Sequence, residues 1–437
     1  MKNIKFVPYS KLFLILFTVS AAAAVFGQQR ISPYLIGQNA WERNAVFSIH
    51  DEVKAVHFQM IRIGGNGYEN PRFVNTELIK LIDYVRSVGA EPIVQLPRQL
   101  KNDDLAYKAI ERINGELGKK IKFWSIGNEP DHHNQLASAD EVYDFFTKIS
   151  AQIKRFDPDG KILGVDLASY KPEYINRLIG GDLDLTGKIP GHNYYYLDVF
   201  SFHGYRFRDI TTMEANVANL KKRLKPINSG RPKDQQLAWA ITEFNSHWLV
   251  DRNLDAEYWP FTFHNGQVFA EMYDLGMREG AFTICPWSLL EGGADREGTD
   301  LSMFDLINKK IYPRSNYYHT QMIAHNFRKN YLMHHENQDS LTVIPMGDEQ
   351  GISVMLLNKS KSRNFDYKID LNGRKKSKDE KSVSVRIDAR VPSTFNSSID
   401  AQTTQMLIFD MNGLLKKKYV YNYQNEALME GPKITVF

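Results

Sequence analysis

The stretch "KFWSIGNEPD", residues 122–131, runs from an apolar segment directly into an asparagine, a glutamate and a proline. Residues 121–127 have the short apolar character of a buried strand. Pro130 ends that strand because proline cannot donate a hydrogen bond to a sheet. Glu129 therefore lies at the rim of a predicted core strand, where a carboxylate needs either a partner or a function.

The surrounding sequence alternates short apolar runs with segments of helical periodicity. It predicts eight strands, at residues 34–40, 58–65, 90–97, 121–127, 161–168, 197–203, 237–243 and 281–288. It also predicts eight helices, at residues 45–56, 75–89, 103–117, 139–156, 171–179, 212–225, 262–280 and 314–327. Alternation implies parallel strands with right-handed crossovers, and eight such units close into a (β/α)₈ TIM barrel. The α/β rival is an open doubly wound sheet, but "RIGGNG" at residues 62–67 lacks the spacing of a phosphate-binding loop.

The pattern changes after residue 330. Residues 340–345, 351–358, 364–371, 382–387, 404–410 and 417–423 are short alternating segments between polar turns, which predicts a small antiparallel β-sandwich. We therefore expect a barrel over residues 28–330 and an accessory sandwich over residues 331–437. The sandwich could bind carbohydrate, but its few aromatic residues favour a structural role on the barrel.

The N-terminus and the composition suggest where the protein is found and what it binds. Lys2, Lys5 and Lys11 precede an apolar run at residues 12–25, which predicts a signal peptide over residues 1–27 and export to the periplasm or the medium. The apolar run is shorter than the roughly 20 residues of a spanning helix, so we expect no membrane span after cleavage. A net charge of +4 over 437 residues does not indicate nucleic-acid binding. Cys285 is the only cysteine and is expected to be inert packing. The sequence leaves the oligomeric state open.

A barrel places its active site at the carboxyl ends of its strands. The predicted ends carry polar and aromatic side chains: Trp41, Arg62, Gln95, Arg98, Glu129, Asp166, His203, Tyr205, Glu243, Asn245 and Trp287. Glu129 and Glu243 end the fourth and seventh strands and should face each other across the mouth. A protonated carboxyl that donates to a leaving oxygen, paired with an ionised one that attacks, suits glycoside cleavage. A separation of about 5 to 5.5 Å would indicate retention of configuration.

Gly127-Asn128-Glu129-Pro130 and Thr242-Glu243-Phe244-Asn245 together resemble the motifs of the (β/α)₈ glycoside hydrolases of clan A, over residues 30–330. The resemblance implies a retaining glycoside hydrolase that acts through a covalent glycosyl-enzyme intermediate and binds a carbohydrate substrate. It implies that Glu129 is the acid/base, that Glu243 is the nucleophile and that Asn128 holds the sugar 2-hydroxyl.

The same resemblance suggests roles for further residues at the mouth. Tyr205 of the His203-x-Tyr205 pair and Arg62 would hydrogen-bond the nucleophile, and Trp287 would stack on a sugar. Trp41 and Trp248 are further stacking candidates. The branches that this sequence resembles most contain arabinofuranosidases, β-xylosidases and heparanase-like glucuronidases, and no motif here separates them.

Each assignment has a structural alternative. His203 could be a core histidine, Arg62 a structural ion pair, and Asp166, Gln95, Arg98, Trp41 and Trp248 packing residues. Asp131-His132-His133 and His334-His335 suggest a metal-dependent barrel, but adjacent residues point in different directions, so we expect no metal and no cofactor. A non-enzymatic alternative is a secreted glycan-binding barrel that has lost its activity.

Overall fold

A computed structural model describes residues 29–41, 45–69, 76–132, 136–205, 209–246, 260–291, 301–307, 310–337, 341–373 and 382–437. The predicted signal peptide, His133 and Trp248 lie outside the described residues. Among those described, no helix combines the length and the apolar character needed to cross a membrane.

The first part of the chain forms a parallel barrel. Its strands are β1 (Gly37–Asn39), β2 (Met60–Ile63), β3 (Glu91–Leu96), β4 (Phe123–Ile126), β5 (Lys161–Leu167), β6 (Val199–Gly204) and β7 (Ala238–Phe244), and they neighbour one another in that order. All six pairings are parallel. This architecture confirms the predicted TIM barrel.

The eighth predicted strand is present only as isolated bridges. Ile284 bridges to Ile36 on one side and to Ile241 on the other, both in parallel. The segment donates to β7 through Cys285, whose N–H lies 2.8 Å from the Ile241 carbonyl, and accepts from β1, whose Asn39 N–H lies 3.1 Å from the Pro286 carbonyl. Pro286 has no N–H to donate, but the N–H groups of Cys285 and Trp287 on either side of it donate to β7, so the segment closes the barrel.

Helices connect the strands on the outside. They are α1 (His50–Lys54), α2 (Thr76–Ser87), α3 (Asp103–Ile110), α4 (Ala139–Phe156), α5 (Pro172–Leu178), α6 (Thr211–Ser229), α7 (Phe263–Glu279) and α8 (Ser315–His325). Shorter helical turns occur at Ala45–Ile49, Asn66–Tyr68, Arg98–Lys101, Glu111–Glu116 and Lys233–Gln235. Helix α4 has the predicted bounds, and a capping box of Ser138 and Glu141 defines its start.

Two further sheets are built mainly from the C-terminal region. The larger sheet contains, in spatial order, Gln29–Arg30, Asn330–Tyr331, Thr342–Asp348, Gly351–Asn358, Thr403–Phe409, Leu415–Asn422 and Lys433–Val436. The smaller one contains His334–Glu336, Val383–Ile387, Phe365–Asp370 and Thr394–Ile399. The pairing of Phe365–Asp370 with Val383–Ile387 is parallel, whereas the others in these sheets are antiparallel. A hairpin of Phe304–Ile307 with Lys310–Pro313 and the helix α9 (Tyr423–Ala427) complete the described elements.

The sandwich packs on α7 and α8. Tyr421 contacts the rings of Phe263 and Tyr318, with centroids 5.5 and 5.2 Å apart. The Tyr331 hydroxyl donates to Asp274 at 2.7 Å. One continuous hydrophobic cluster includes barrel strands and sandwich residues such as Met355 and Tyr421. The sandwich therefore contributes to the same core as the barrel, as a structural role would require. The limits of the two domains stay a prediction.

Candidate active site

Glu129 follows β4 by three residues, and Glu243 lies near the end of β7. Gly127 and Glu129 have positive φ angles of 73° and 41°, and the Glu129 N–H donates to the Asp166 carbonyl at 2.8 Å. This turn at the strand end brings the Glu129 carboxylate to the mouth. One oxygen of Glu129, one oxygen of Glu243 and a ring nitrogen of His203 all lie within 4.8 Å of one another. Two carboxylates distant in sequence thus share one small space.

His203 lies between the two carboxylates. Its Nδ1 is 3.0 Å from Glu129 Oε1 and 3.6 Å from Glu243 Oε2. The β6–β7 pairing shifts register between Phe202 and His203, which places His203 opposite Glu243. The His203 side chain is fully buried. Its contacts differ from those of a histidine packed in a core, because both of its near partners are acidic.

Glu243 accepts hydrogen bonds from two sides. Arg62 Nη1 donates to Oε1 at 2.8 Å, and the Tyr205 hydroxyl donates to Oε2 at 2.9 Å. Neither donates to Glu129 in any described contact. Glu129 instead has His203 at Oε1 and the Asn66 amide at Oε2, at 3.4 Å. The two carboxylates therefore differ in the kind of partner that holds them.

Arg62 is a fully buried cation that joins several strand ends. Its Nη1 also donates to Asn39 at 3.1 Å, and its Nη2 donates to Asn128 at 2.6 Å and to Asp166 at 3.0 Å. The planar guanidinium can serve these acceptors at once because its donors form a rigid fork. Arg62 is thus an ion-pair residue of the barrel interior and also a direct partner of Glu243.

The site perturbs the acid–base equilibria of its groups. Burial raises the pKa of Glu243, and the charge of Glu129 acts in the same direction, while His203, Arg62 and Tyr205 only partly oppose them. Burial would also raise the pKa of Glu129, but the hydrogen bond and charge of His203 lower it overall. Burial lowers the pKa of His203, yet Glu243 and Glu129 raise it above its usual value. The three groups are coupled, so their protons belong to the cluster rather than to one residue.

Asn66 is a member of the site that sequence reasoning missed. Its Oδ1 accepts from Asn128 Nδ2 at 3.0 Å, and its Nδ2 reaches Glu129. The sequence signal for Asn66 was the glycine-rich stretch "RIGGNG" that contains it. The glycines are needed because a Cβ on Gly64 would lie 2.7 Å from Gln95 Oε1, and a Cβ on Gly65 would lie 2.7 Å from Trp287. Gly65 also has a φ of 108°, which side chains rarely adopt. The glycines allow this loop to approach the mouth closely and to carry Asn66 there.

Trp287 and Trp41 form an aromatic pair beside Gly65. Their ring centroids are 5.1 Å apart at an interplanar angle of 44°. Trp287 lies next to β7, since its N–H donates to the Phe244 carbonyl at 2.9 Å. Asn245 supports it by donating to the Trp287 carbonyl at 2.6 Å. The pair forms an apolar cluster next to the strand end that carries Glu243.

Other residues predicted at the strand ends have supporting positions. Gln95 accepts from the Gly65 N–H at 2.7 Å and donates to Glu69 at 2.7 Å, and Arg98 lies 3.6 Å from Glu69. The Asp131 carboxylate accepts from the Ala168 N–H at 2.7 Å and pairs with Lys171.

The sequence contains two histidine pairs that could ligate a metal ion. His334 pairs with Glu336 at 3.2 Å inside the smaller sheet of the sandwich. Within the described part of the chain, the set that could ligate a metal ion is Glu129, His203 and Glu243. Arg62 already places a positive charge 2.8 Å from Glu243 in that set, which disfavours a second cation there.

Cys285 is buried in the barrel interior, where burial raises the pKa of its thiol to about 12. This agrees with the inert packing role predicted for it.

No protein-family model matches the sequence, and a search of curated proteins also finds no match. Solved structures do match. They include the α-L-arabinofuranosidase of Thermotoga maritima in complex with arabinose (TM-score 0.61, 15% identity, 86% of this chain and 94% of that chain). They also include a glucosidase of Croceicoccus marinus (TM-score 0.57, 12% identity, 86% and 82%) and a bacterial orthologue of human α-L-iduronidase (TM-score 0.57, 12% identity, 79% and 66%).

These structural neighbours are glycoside hydrolases of clan A, built from a barrel and a second domain. The resemblance that the two glutamate motifs predicted is therefore confirmed in the fold.

Proposed function

We propose that the chain is a retaining glycoside hydrolase. The observation that carries this proposal is the approach of Glu129 and Glu243, whose nearest oxygens lie within 4.8 Å at the carboxyl ends of β4 and β7. Retaining enzymes hold their carboxyl groups about 5 to 5.5 Å apart, whereas inverting enzymes leave room for a water between them. A direct attack by one carboxylate fits this separation.

Glu243 is the nucleophile of the proposed reaction. Arg62 and Tyr205 both donate to it, and their hydrogen bonds favour its ionised form. Attack of Glu243 on the anomeric carbon breaks the glycosidic bond and forms a glycosyl ester. The ester neutralises the charge on Glu243, and Arg62 and Tyr205 stabilise that charge again when the ester is hydrolysed.

Glu129 is the acid in the first step and the base in the second. The 3.0 Å contact of its Oε1 with His203 Nδ1 lets the two groups hold one proton between them. When the leaving oxygen takes that proton, Glu129 remains ionised beside a neutral His203. Glu129 then accepts a proton from the water that attacks the ester, which restores the starting state.

Asn128 and the tryptophans bind the sugar in this proposal. Asn128 Nδ2 donates to Asn66 Oδ1 at 3.0 Å, and in the proposed complex it donates to the sugar 2-hydroxyl in place of Asn66. Trp287 and Trp41 offer an apolar face on which a sugar ring can stack. The arginine, histidine and asparagines of the site supply the polar contacts.

The protein is also proposed to be exported. Support comes from the basic and then apolar N-terminus, with Gly27 and Gln28 flanking the predicted cut. Expression with a C-terminal tag, followed by N-terminal sequencing of the secreted protein, tests this. A mature chain that begins at Gln28 is expected, and an uncleaved chain retained in the cell would contradict the proposal.

The substrate class is proposed to lie among the sugars of the structural neighbours, whose names refer to arabinofuranosides, glucosides and iduronides. A panel of activated aryl glycosides of these sugars, with xylosides and glucuronides added, therefore tests the activity. Wild type should hydrolyse at least one substrate with retention at the anomeric carbon, as followed by proton NMR. Glu243→Gln should not.

Two results would contradict the proposed function. Initial formation of the inverted sugar would exclude direct attack by Glu243. A wild-type protein that binds glycans tightly but turns over no substrate would instead favour a glycan-binding barrel without activity.

A further inference from the structure

Asp166 is a fully buried carboxylate that the proposed reaction does not use. It belongs to β5, at an irregularity in the β5–β6 pairing between Val165 and Leu167. Its φ is 50°, in the left-handed region that aspartate and asparagine tolerate better than most residues. The chain therefore departs from regular strand geometry at the one residue that places this side chain inside the barrel.

The Asp166 carboxylate accepts hydrogen bonds from three hydroxyl groups on three different strands. Ser125 of β4 and Ser201 of β6 donate to it, and Thr242 of β7 donates at 2.6 Å. These strands carry His203 and Glu243 near their ends, and β4 leads into the turn that carries Glu129. Asp166 thus links, inside the barrel, the three strands that position these groups.

Asp166 also shares a cation with Glu243. Arg62 Nη2 donates to Asp166 Oδ2 at 3.0 Å, while Nη1 of the same guanidinium donates to Glu243 Oε1 at 2.8 Å. Burial would raise the pKa of Asp166, but Arg62, His203 and the serine hydroxyls lower it overall, so Asp166 carries a negative charge. Two buried carboxylates therefore divide one positive charge, and each raises the cost of ionising the other.

We propose that Asp166 is a positioning residue of this site, which fixes the guanidinium of Arg62 and sets the ionisation of Glu243 by competing for its charge. The inference rests on the proposed function for its catalytic meaning, but the electrostatic coupling can be measured without turnover. Asp166 lies beneath the groups that would meet a sugar, so it acts through Arg62 rather than on the substrate.

Several other charged or titratable groups face the two carboxylates. Glu243 meets Arg62 from β2, Glu129 from the β4 end, and His203 and Tyr205 from β6 and the residue after it. Asp166 meets Arg62, His203 and the thiol of Cys285. Replacing Asp166 alone keeps all these groups in place, so a change in Glu243 titration reports the removed charge.

The test compares wild type with Asp166→Asn, in which the side-chain shape is kept and the charge is lost. The Glu243 carboxyl is followed by carbon-13 NMR in glutamate-labelled protein, with Glu243→Gln in each background identifying its signal. Without the negative charge of Asp166, Arg62 favours the ionised form of Glu243 more strongly. The titration midpoint of Glu243 should therefore fall by about one pH unit. In an active enzyme, the acid limb of kcat/KM should move down equally.

Two further variants guard against a merely structural effect. Ser125→Ala removes one hydrogen bond to Asp166 but keeps its charge, so it should leave the Glu243 midpoint in place. Asp166→Gly suits a φ of 50° and also removes the charge, so it replaces Asp166→Asn if the latter does not fold.

A lower midpoint in the charge-removing variants and an unchanged one in Ser125→Ala support the inference. An unchanged or higher midpoint after charge removal overturns it, whatever the activity. If wild type hydrolyses nothing on the panel but the midpoint falls, the proposed function fails and the role of Asp166 in setting Glu243 stands.

Discussion

Replacing Tyr205 by phenylalanine removes one hydroxyl and, with it, one of the two hydrogen bonds that hold Glu243. The bond is 2.9 Å long and its donor is a phenol, while Arg62 still donates to the other oxygen. The ring of the substituted residue keeps the size of the original, so packing should change little. The variant therefore isolates one interaction with the proposed nucleophile.

The expected effect follows from the charge on Glu243. A hydrogen bond to a charged group contributes about 1.5–3 kcal/mol, which corresponds to roughly 10- to 150-fold in rate. Glu243 regains its charge when the glycosyl ester is hydrolysed, so this second step should lose the full contribution. The Tyr205 bond also lowers the pKa of Glu243, so its loss should raise that pKa and move the acid limb of kcat/KM upward by about 1–2 pH units.

The assay is steady-state hydrolysis of an activated aryl glycoside across pH, together with a pre-steady-state burst measurement. A larger burst relative to turnover is expected, since ester hydrolysis becomes slower than ester formation. Tyr170→Phe is the matched control, because the Tyr170 hydroxyl contacts Asn219 away from the carboxylates. Equal kcat and an unmoved acid limb in Tyr205→Phe, in an enzyme that Glu243→Gln inactivates, would refute the reasoning.

Three further changes test other parts of the site. Glu129→Ala should cost about 10²–10⁴-fold on substrates with poor leaving groups, spare activated ones, and yield a retained glycosyl azide when azide is added; an inverted azide would swap the two roles. His203→Asn should move the alkaline limb of kcat/KM to higher pH, because the hydrogen bond and the charge of His203 lower the pKa of Glu129; an unmoved limb would remove His203 from the proton path. Gly65→Ala should destabilise folding by about 1–3 kcal/mol in denaturant unfolding, because its φ is 108° and its Cβ would meet Trp287, and wild-type stability would contradict this.

The barrel was predictable because its periodicity is strong. Helix α4 matches the predicted 139–156, since a capping box defines its start and a continuous apolar stripe defines its length. The eighth strand was predicted as regular, whereas the segment forms isolated bridges at Ile284, contains a residue without an N–H at Pro286, and still closes the barrel. Local pattern gives the position of a strand, but the number of ladder bonds depends on neighbours distant in sequence.

The sandwich was harder to predict. Thr394–Ile399 was not foreseen as a strand because its side chains are mostly small and polar, and few of them are buried. The parallel pairing of Phe365–Asp370 with Val383–Ile387 was also not foreseen, since an alternating pattern is the same for either direction. Gln29–Arg30 precedes the barrel in the chain but pairs with Asn330–Tyr331, which follows the barrel. A strand of two residues is too short to show a periodicity in the sequence.

The candidate site was partly predictable for a related reason. Strand ends located the two glutamates, His203, Tyr205 and Arg62, because chain order determines which strands meet at the mouth. Asn66 was missed because it lies in a loop, where no periodicity fixes the direction of a side chain. The orientation of Asp166 toward the barrel interior depends on a single left-handed residue, which the sequence pattern does not reveal.

Two nearby carboxylates alone do not determine which one attacks and which one donates. Their neighbours differ in a way that does bear on it: Glu243 is held by an arginine, which keeps its protons at any relevant pH, whereas Glu129 is held by an imidazole, which can give its proton away. A group bound to a fixed cation is suited to carry a charge, and a group bound to a titratable one is suited to gain and lose a proton. The chemistry of Arg62 and His203 therefore supports the roles proposed for Glu243 and Glu129, while burial acts against the ionisation of Glu243.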